Sequence, residues 1–379
     1  MRAILDADAQ PDPLLEIGRA SSSALAPDTK HAKKKLIRRT RSDYSQPLRR
    51  SFQAAFLLMN IWLGGEFFVW VRHLESGSAV SSSLHPAGID GWLPISGLLN
   101  LKYWLFTGGL PDIHPAALFL LLAFVGISFL FRKSFCSWLC PIGTISEYLW
   151  RAGRRIFRRN FRIPRWLDLP LRGLKYLLLG FFVWAVVEMS VEKISGFMHS
   201  PFGIIADVKM LDFFRFLSLT GLIVMGILVL ASLFIQNFWC RYLCPYGALF
   251  GLTSLLSPLR IRREPEACID CAKCAKACPS LLPVDKVVTI RSAECTGCLA
   301  CVSVCPAEDA LVLSLPRARA FGTRSRRMPA WALAIGIVLV FFGVVGYAKI
   351  AHHWKSNVTN AEYQRLVPHA DEAQHPMGY

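Results

Sequence analysis

The chain has 379 residues, 53% of them hydrophobic and 18% charged, with a formal net charge of +17. Soluble domains run nearer about 45–50% apolar and about 25% charged, so the composition argues against an ordinary soluble enzyme and for a membrane protein. The basic excess sits beside apolar runs, which fits membrane topology and anionic lipid and excludes a nucleic-acid footprint.

Residues 1–50 begin with a polar segment, Met1–Thr29, and contain no short apolar core of a secretory signal. They read as a disordered, basic cytoplasmic arm. Five nearly charge-free windows follow: Phe52–Trp70, Ala116–Phe131, Leu174–Ser190, Leu217–Phe238 and Ala330–Ala348. Each approaches the roughly 20 residues that cross a bilayer, which predicts five transmembrane helices. Nine Lys/Arg lie between Lys30 and Arg50 and nine between Arg151 and Lys175, against two in Arg72–His114. That asymmetry puts the N-terminus inside and, after five crossings, the C-terminus outside.

Between the first two windows, Gly91–Gly109 reads as a loop along the outer surface, anchored by Trp and Tyr. Glu147–Trp166 reads as a basic amphipathic stretch on the inner surface, and Val191–Arg215 as a short outer loop. The second and fourth windows each run into a matching segment, FCSWLCPIG at Phe135–Gly143 and WCRYLCPYG at Trp239–Gly247. Cys136 aligns with Cys240, Cys140 with Cys244, Pro141 with Pro245 and Gly143 with Gly247. This parallel two-helix repeat predicts a pseudo-twofold axis along the membrane normal.

All 12 cysteines fall in four motifs. Eight form two runs, Cys268-x2-Cys271-x2-Cys274-x3-Cys278-Pro and Cys295-x2-Cys298-x2-Cys301-x3-Cys305-Pro. In the bacterial two-cluster ferredoxin pattern, the fourth cysteine of each run ligates the other cluster. Cys268, Cys271, Cys274 and Cys305 are therefore assigned to one [4Fe–4S] cluster, and Cys295, Cys298, Cys301 and Cys278 to a second. Structural zinc prefers paired C-x2-C units on longer spacers, and a reducing cytoplasm disfavours disulfides. The C-x3-C-P cysteines Cys136, Cys140, Cys240 and Cys244 are expected to close membrane helices and to converge. They suit a redox dithiol, a Cu(I) site or a third cluster, with simple packing as the bland alternative.

Glu66, inside the first apolar window, reads as a solvated carboxylate near the outer interface, or as a proton acceptor at a quinol site. His85, His114, His199 and the pair His352-His353 show no ligand spacing and read as surface or packing residues. There is no C-x-x-C-H haem motif and no G-x-G-x-x-G opening a βαβ unit. Nothing here supports hydride chemistry.

Two C-x3-C-P repeats after membrane helices, a double ferredoxin motif and a last helix resemble the NapH/NosR/RdxA group of membrane polyferredoxin-type electron-transfer proteins. The likeness covers roughly residues 50–350. Relatives in that group serve periplasmic nitrate reductase as quinol-oxidising subunits, support nitrous-oxide reductase, or assist copper delivery to oxidases. This chain shows neither a large periplasmic flavin domain nor a folded C-terminal periplasmic domain, as some branches do. The resemblance implies a bacterial inner-membrane electron-transfer component, a subunit of an oxidoreductase system more than a stand-alone enzyme. Its partners would be lipid, the quinone pool and a protein redox partner, with no nucleic acid. Copper handling with Cu(II) reduction, or redox sensing, is the alternative function.

The fold class that follows is membrane all-α with five spans and an internal repeat, carrying a small α+β two-cluster ferredoxin-like cytoplasmic domain. Its divisions are an arm (1–50), a four-helix membrane domain (51–263), the ferredoxin-like domain (264–316), a basic linker with the fifth helix (317–348) and a periplasmic tail (349–379).

Overall fold

A computed structural model describes residues 37–40, 42–77, 85–161, 163–315 and 327–375. Most of the expected arm, residues 1–36, and most of the basic linker, 316–326, lie outside them. The first helix, α1 (Ser45–Glu75), starts seven residues before the apolar window. After Ser45, its buried side chains are Arg49, Gln53, Phe56, Phe67, Trp70, Val71 and Leu74. Within 49–56 and again within 67–74 they recur at three- and four-residue intervals, which sets them on one stripe of the helix. Of the expected arm, residues 37–40 and 42–50 are described, and from Ser45 they are helical. Backbone pairing of Arg38 with Ala307 and the buried Arg49 tie this stretch to the rest of the chain.

A 3-10 turn, Ala87–Trp92, leads into α2 (Pro94–Thr107) and α3 (Pro115–Leu130). The expected outer loop is therefore largely helix, and α2 lies against α3. Gly97 permits that approach, since a Cβ there would lie 3.2 Å from the Ala117 carbonyl oxygen. α3 is buried on nearly every side, from Ala116 through Phe124 to Ile127, because α2, α14 and α11 surround it.

Next come α4 (Ser134–Trp138), α5 (Pro141–Phe157) and α6 (Arg165–Glu188). The expected short outer loop instead forms α7 (Val191–Met198), α8 (Pro201–Ile204) and α9 (Ala206–Arg215). α10 (Leu219–Phe234) ends before a π turn at Trp239–Leu243, and α11 (Pro245–Leu255) follows. β1 (Arg260–Arg263) and β2 (Leu311–Ser314) pair antiparallel, Arg260 opposite Ser314, and enclose α12 (Lys273–Ala277) and α13 (Ala300–Ser303). The chain closes with α14 (Ala330–Ile350), α15 (Asn360–Leu366) and a 3-10 turn, Val367–Glu372.

Among the described residues, three helices are long and apolar enough to cross a membrane: Ser45–Glu75, Trp166–Glu188 and Ala330–Ile350. A fourth is reached if α9 and α10, bent by 82°, count as one broken span. α3 has 16 residues, about 24 Å at 1.5 Å per residue, which is short of a bilayer core of roughly 30 Å.

Two apolar cores hold the fold. One joins α3, α4, α11 and α14 to the cysteine-rich segment through Phe124, Phe135, Trp138, Phe250, Cys295 and Ile337. The other, at the opposite end, joins the end of α1 to α2, α7 and α15 through Trp70, Leu99, Ile194 and Tyr363.

Candidate iron–sulfur centres

The two cysteine runs fold alike, 27 residues apart from Cys268 to Cys295. In each, the second and fourth residues after the first cysteine take left-handed backbone: Asp270 and Ala272 in one, Gly297 and Leu299 in the other, with φ between 54° and 61°. Gly297 is required sterically as well, because a Cβ would lie 2.6 Å from Ser134 Oγ. Left-handed turns at Ala and Leu are costly and persist only where surroundings hold them. Backbone curled in this way turns successive N–H groups inward, a concavity that suits an anionic iron–sulfur group. Short helices α12 and α13 then begin immediately after Ala272 and Leu299.

The thiols gather in two sets. Cys305 lies within electrostatic reach of Cys268 and Cys271, and Cys274 of Cys268 and Cys305. Cys278 similarly faces Cys295 and Cys298, and Cys301 faces all three. Cys301 also feels Cys274, so the sets adjoin. The first set is the more open, with Cys271 exposed, whereas Cys278, Cys295 and Cys301 are buried. Burial pushes the Cys278 thiol up to about 12. Four thiols with converging N–H groups fit a [4Fe–4S] centre in each set, and coordination to iron would offset the burial that disfavours a free thiolate.

The C-x3-C-P pairs differ from expectation in one respect. They do not simply end helices; the second cysteine of each opens the next one. Cys140 is the N-cap of α5 and accepts from Gly143 N at 3.5 Å, and Cys244 is the N-cap of α11 and accepts from Gly247 N at 3.2 Å. Pro141 and Pro245 stand at the first helical position, where no N–H is needed. A Cβ on Gly143 would lie 2.2 Å from the Cys136 carbonyl oxygen, and one on Gly247 3.2 Å from that of Cys240. The motif therefore reads as cysteine, cap, proline and a glycine that lets the first cysteine's backbone approach.

The four thiols also lie near one another. Cys240 feels Cys244, Cys140 and Cys136, and Cys136 feels Cys140 and Cys244. Burial holds all four thiols above their ordinary range, Cys140 at about 11 even though the Gly143 N–H pulls it down. Two buried lysines stand beside them. Burial opposes the charge of Lys133, yet Cys136 and Glu294 hold its pKa above the ordinary lysine value. Lys175 pairs with Glu294 at 2.5 Å. This cationic surround favours an anionic four-thiolate group.

The cysteine-rich segment docks directly on this region. Ser137 Oγ donates to Thr296 O at 2.6 Å, Trp138 Nε1 to Gly297 O at 3.3 Å and Gln46 Nε2 to Cys298 O at 2.9 Å. Behind α4, Arg49 donates twice to Glu147, each bond 2.7 Å, and once to Ser137 O. Glu147, expected on an amphipathic surface, is thus a buried anchor. An apolar cavity of about 1330 Å³ runs from Cys136, Cys140, Cys240 and Cys244 to Glu66, His85 and Trp92 near the other end.

There lies a group that residue spacing did not reveal. Asp90, His114 and Asp207 are all buried, and one potential ligand atom of each lies within 4.8 Å of the others. His85 reaches Asp207 at 2.5 Å. His85 and His114, expected as surface or packing residues without ligand spacing, both partner buried aspartates. Nothing local foretold it, because the partners of His114 are 24 and 93 positions away (Asp90 and Asp207).

A family model described as a 4Fe–4S binding domain matches residues 113–164 and 217–264, and one described as a 4Fe–4S dicluster domain matches 260–306. YccM of Escherichia coli (strain K12), named as an electron transport protein, is 49% identical over 327 residues, covering 86% of this chain and 91% of YccM. NirI of Paracoccus denitrificans (strain Pd 1222) is 34% identical over 224 residues, 56% of this chain and 31% of NirI. The ferredoxin-type protein NapH of Escherichia coli (strain K12) is 26% identical over 285 residues, 70% of this chain and 88% of NapH. No solved structure matches the chain.

Proposed function

The chain belongs to the NapH/NosR-type family of 4Fe–4S membrane electron-transfer proteins, and from that premise we propose that it links the quinone pool to a redox partner protein through three four-thiolate centres. Cys268, Cys271, Cys274 and Cys305 would hold one cluster, and Cys295, Cys298, Cys301 and Cys278 the second. Cys136, Cys140, Cys240 and Cys244 would hold a third, which would make each C-x3-C-P repeat half of one site. The chemistry these groups supply when bound is one-electron transfer without movement of atoms.

The observation that carries the reading is the docking of Thr296, Gly297 and Cys298 onto α4, the helix that bears Cys136. It makes the membrane-end thiols and the buried set neighbours, with the more open set beyond them. Ser137 and Trp138 fix that register, and the Arg49–Glu147 pair holds α4 from behind. A third cluster is favoured over Cu(I) because the 4Fe–4S binding model falls on both repeats. The quinol reading is supported by the apolar cavity that reaches those four cysteines.

The chain would sit in a bacterial inner membrane with five crossings, α3 and the bent α9–α10 pair each completing one. The N-terminus and clusters face the cytoplasm and the C-terminus the periplasm, as the Lys/Arg clusters favour.

Iron analysis and spectroscopy on anaerobically purified protein test this. About 12 irons per chain are expected, falling by about four in both Cys136→Ser and Cys240→Ser while the other centres keep their signals. Eight irons in the native protein with no loss in those variants would reject the third centre, and copper bound there would support the copper-handling alternative. Alkaline phosphatase fused after Asp90 or Lys355 should be active, and after Pro316 inactive.

A further inference from the structure

We propose that Asp90, His114, Asp207 and His85 form a binding site for a divalent first-row cation at the end of the bundle opposite the cysteines. The ligands come from four separate places: the 3-10 turn, the N-cap of α3, the first turn of α9, and the segment before the 3-10 turn. One ligand atom from each of the first three lies within 4.8 Å of the others. Bonds of about 2.0–2.2 Å place opposed ligands about 4.4 Å apart, so only slight contraction is needed. The separation of His114 Nδ1 from Asp90 Oδ1 is 2.9 Å, the spacing of two such bonds at roughly a right angle.

The surroundings supply what a metal-binding histidine needs. His114 Nε2 lies 3.1 Å from the Gly203 carbonyl oxygen. A proton held there leaves the Nδ1 lone pair facing the carboxylates, the usual support for a histidine ligand. That carbonyl is fixed by close packing, since a Cβ on Gly203 would lie 2.3 Å from the Phe197 carbonyl oxygen. His114 itself has left-handed backbone, φ 48° and ψ 47°, a costly conformation for a non-glycine residue. Asn100 Nδ2 clamps it by donating to Ile113 O at 3.1 Å and His114 O at 2.9 Å.

Charge and access are consistent with this. Asp90 and Asp207 are 2% and 0% exposed, and two buried carboxylates need two positive charges nearby. Either His114 and His85, each already beside one carboxylate, carry those charges as protons, or one divalent cation supplies both at once. His85 touches Asp207 and also lines the apolar cavity, which provides a route to the site. Its ring stacks on Tyr363 at 5.6 Å between centroids, with Trp70 edge-on at 4.8 Å. Mixed imidazole and carboxylate donors suit zinc, ferrous iron or manganese and not Cu(I).

The site does not depend on the electron-transfer reading, and its test is separate. Full-length protein in detergent, washed with a chelator that leaves its cluster absorbance intact, would be titrated with Mn²⁺. Loss of the free-ion resonance reports binding, and Zn²⁺ serves as competitor. One Mn²⁺ per chain, displaced by Zn²⁺, is expected, with none in Asp207→Asn or Asp90→Asn and no change in His199→Gln. Retained cluster absorbance certifies folding of each variant. If the aspartate variants fail to fold, His85→Gln at the rim should still bind at least tenfold more weakly. No stoichiometric binding by the native chain, or equal binding by the folded variants, would overturn the site and leave an ion-pair network of charged histidines.

Discussion

At the cysteine end of the bundle, thiols from short local runs face two buried lysines, Lys133 and Lys175 on α6. At the histidine end, carboxylates and imidazoles from three distant stretches (85–90, 114 and 207) converge under a lid of aromatic rings. At the first end Glu294 balances one of the two lysines, and the second positive charge is met when the thiols lose their protons to a bound group. Carboxylates at the second end are anionic at neutral pH in water, so their burial calls for a cation or protons. Opposite charge problems, solved at opposite ends, predict different responses to cofactor loss.

The largest effect that would break this contrast is cluster removal. Cys295→Ser, or iron chelation, should expose the backbone amides of α12, α13 and α4 to hydrogen exchange. Amides of α2 and α15 should stay protected, because they belong to the other apolar core. Equal loss of protection at both ends would merge the two regions into one cooperative unit.

Cutting the buried clamp comes next. Arg49→Met strands Glu147 among buried groups and should cost about 3–5 kcal/mol in denaturant titration. The same carboxylate carries a pH signature. Burial works to raise its pKa, but the Arg49 hydrogen bond and charge, with Arg151 and Gln53, hold it below the ordinary 4.5. A depressed carboxylate stabilises above its unfolded-state pKa, and that contribution disappears as pH falls through the folded value. Stability should therefore drop below about pH 4.5, and Glu147→Gln should flatten that acid limb.

At the other end, Asn100→Ala removes the donor to two buried carbonyls and should cost about 1–3 kcal/mol, without moving the cluster signals. The smallest contrast lies inside the repeat. Gly143→Ala forces a backbone overlap at 2.2 Å, whereas Gly247→Ala meets its carbonyl at 3.2 Å. The first should cost about 1–3 kcal/mol and the second less, in thermal melts followed by cluster absorbance.

Sequence alone determined the parts whose physics is local. The C-x2-C-x2-C-x3-C-P runs state their chemistry because one short loop must wrap three thiolates around a single group. The apolar windows Phe52–Trp70 and Ala330–Ala348 likewise announce membrane-length helices, because hydrogen bonds in hydrocarbon must be satisfied within the helix. The repeat of Cys136, Cys140, Pro141 and Gly143 was also legible, although only the structure showed that Cys140 caps a helix instead of ending one. Tertiary structure decided the rest. Most of Gly91–Gly109 became α2 (Pro94–Thr107), with Gly97 packed against α3, a contact invisible to local pattern. Glu147, on a basic amphipathic stretch, became an anchor only because Arg49, 98 positions away, is buried against it. Asp90, His114 and Asp207 share no spacing at all; the fold brings them together, and burial turns three ordinary side chains into a site where charge must be balanced.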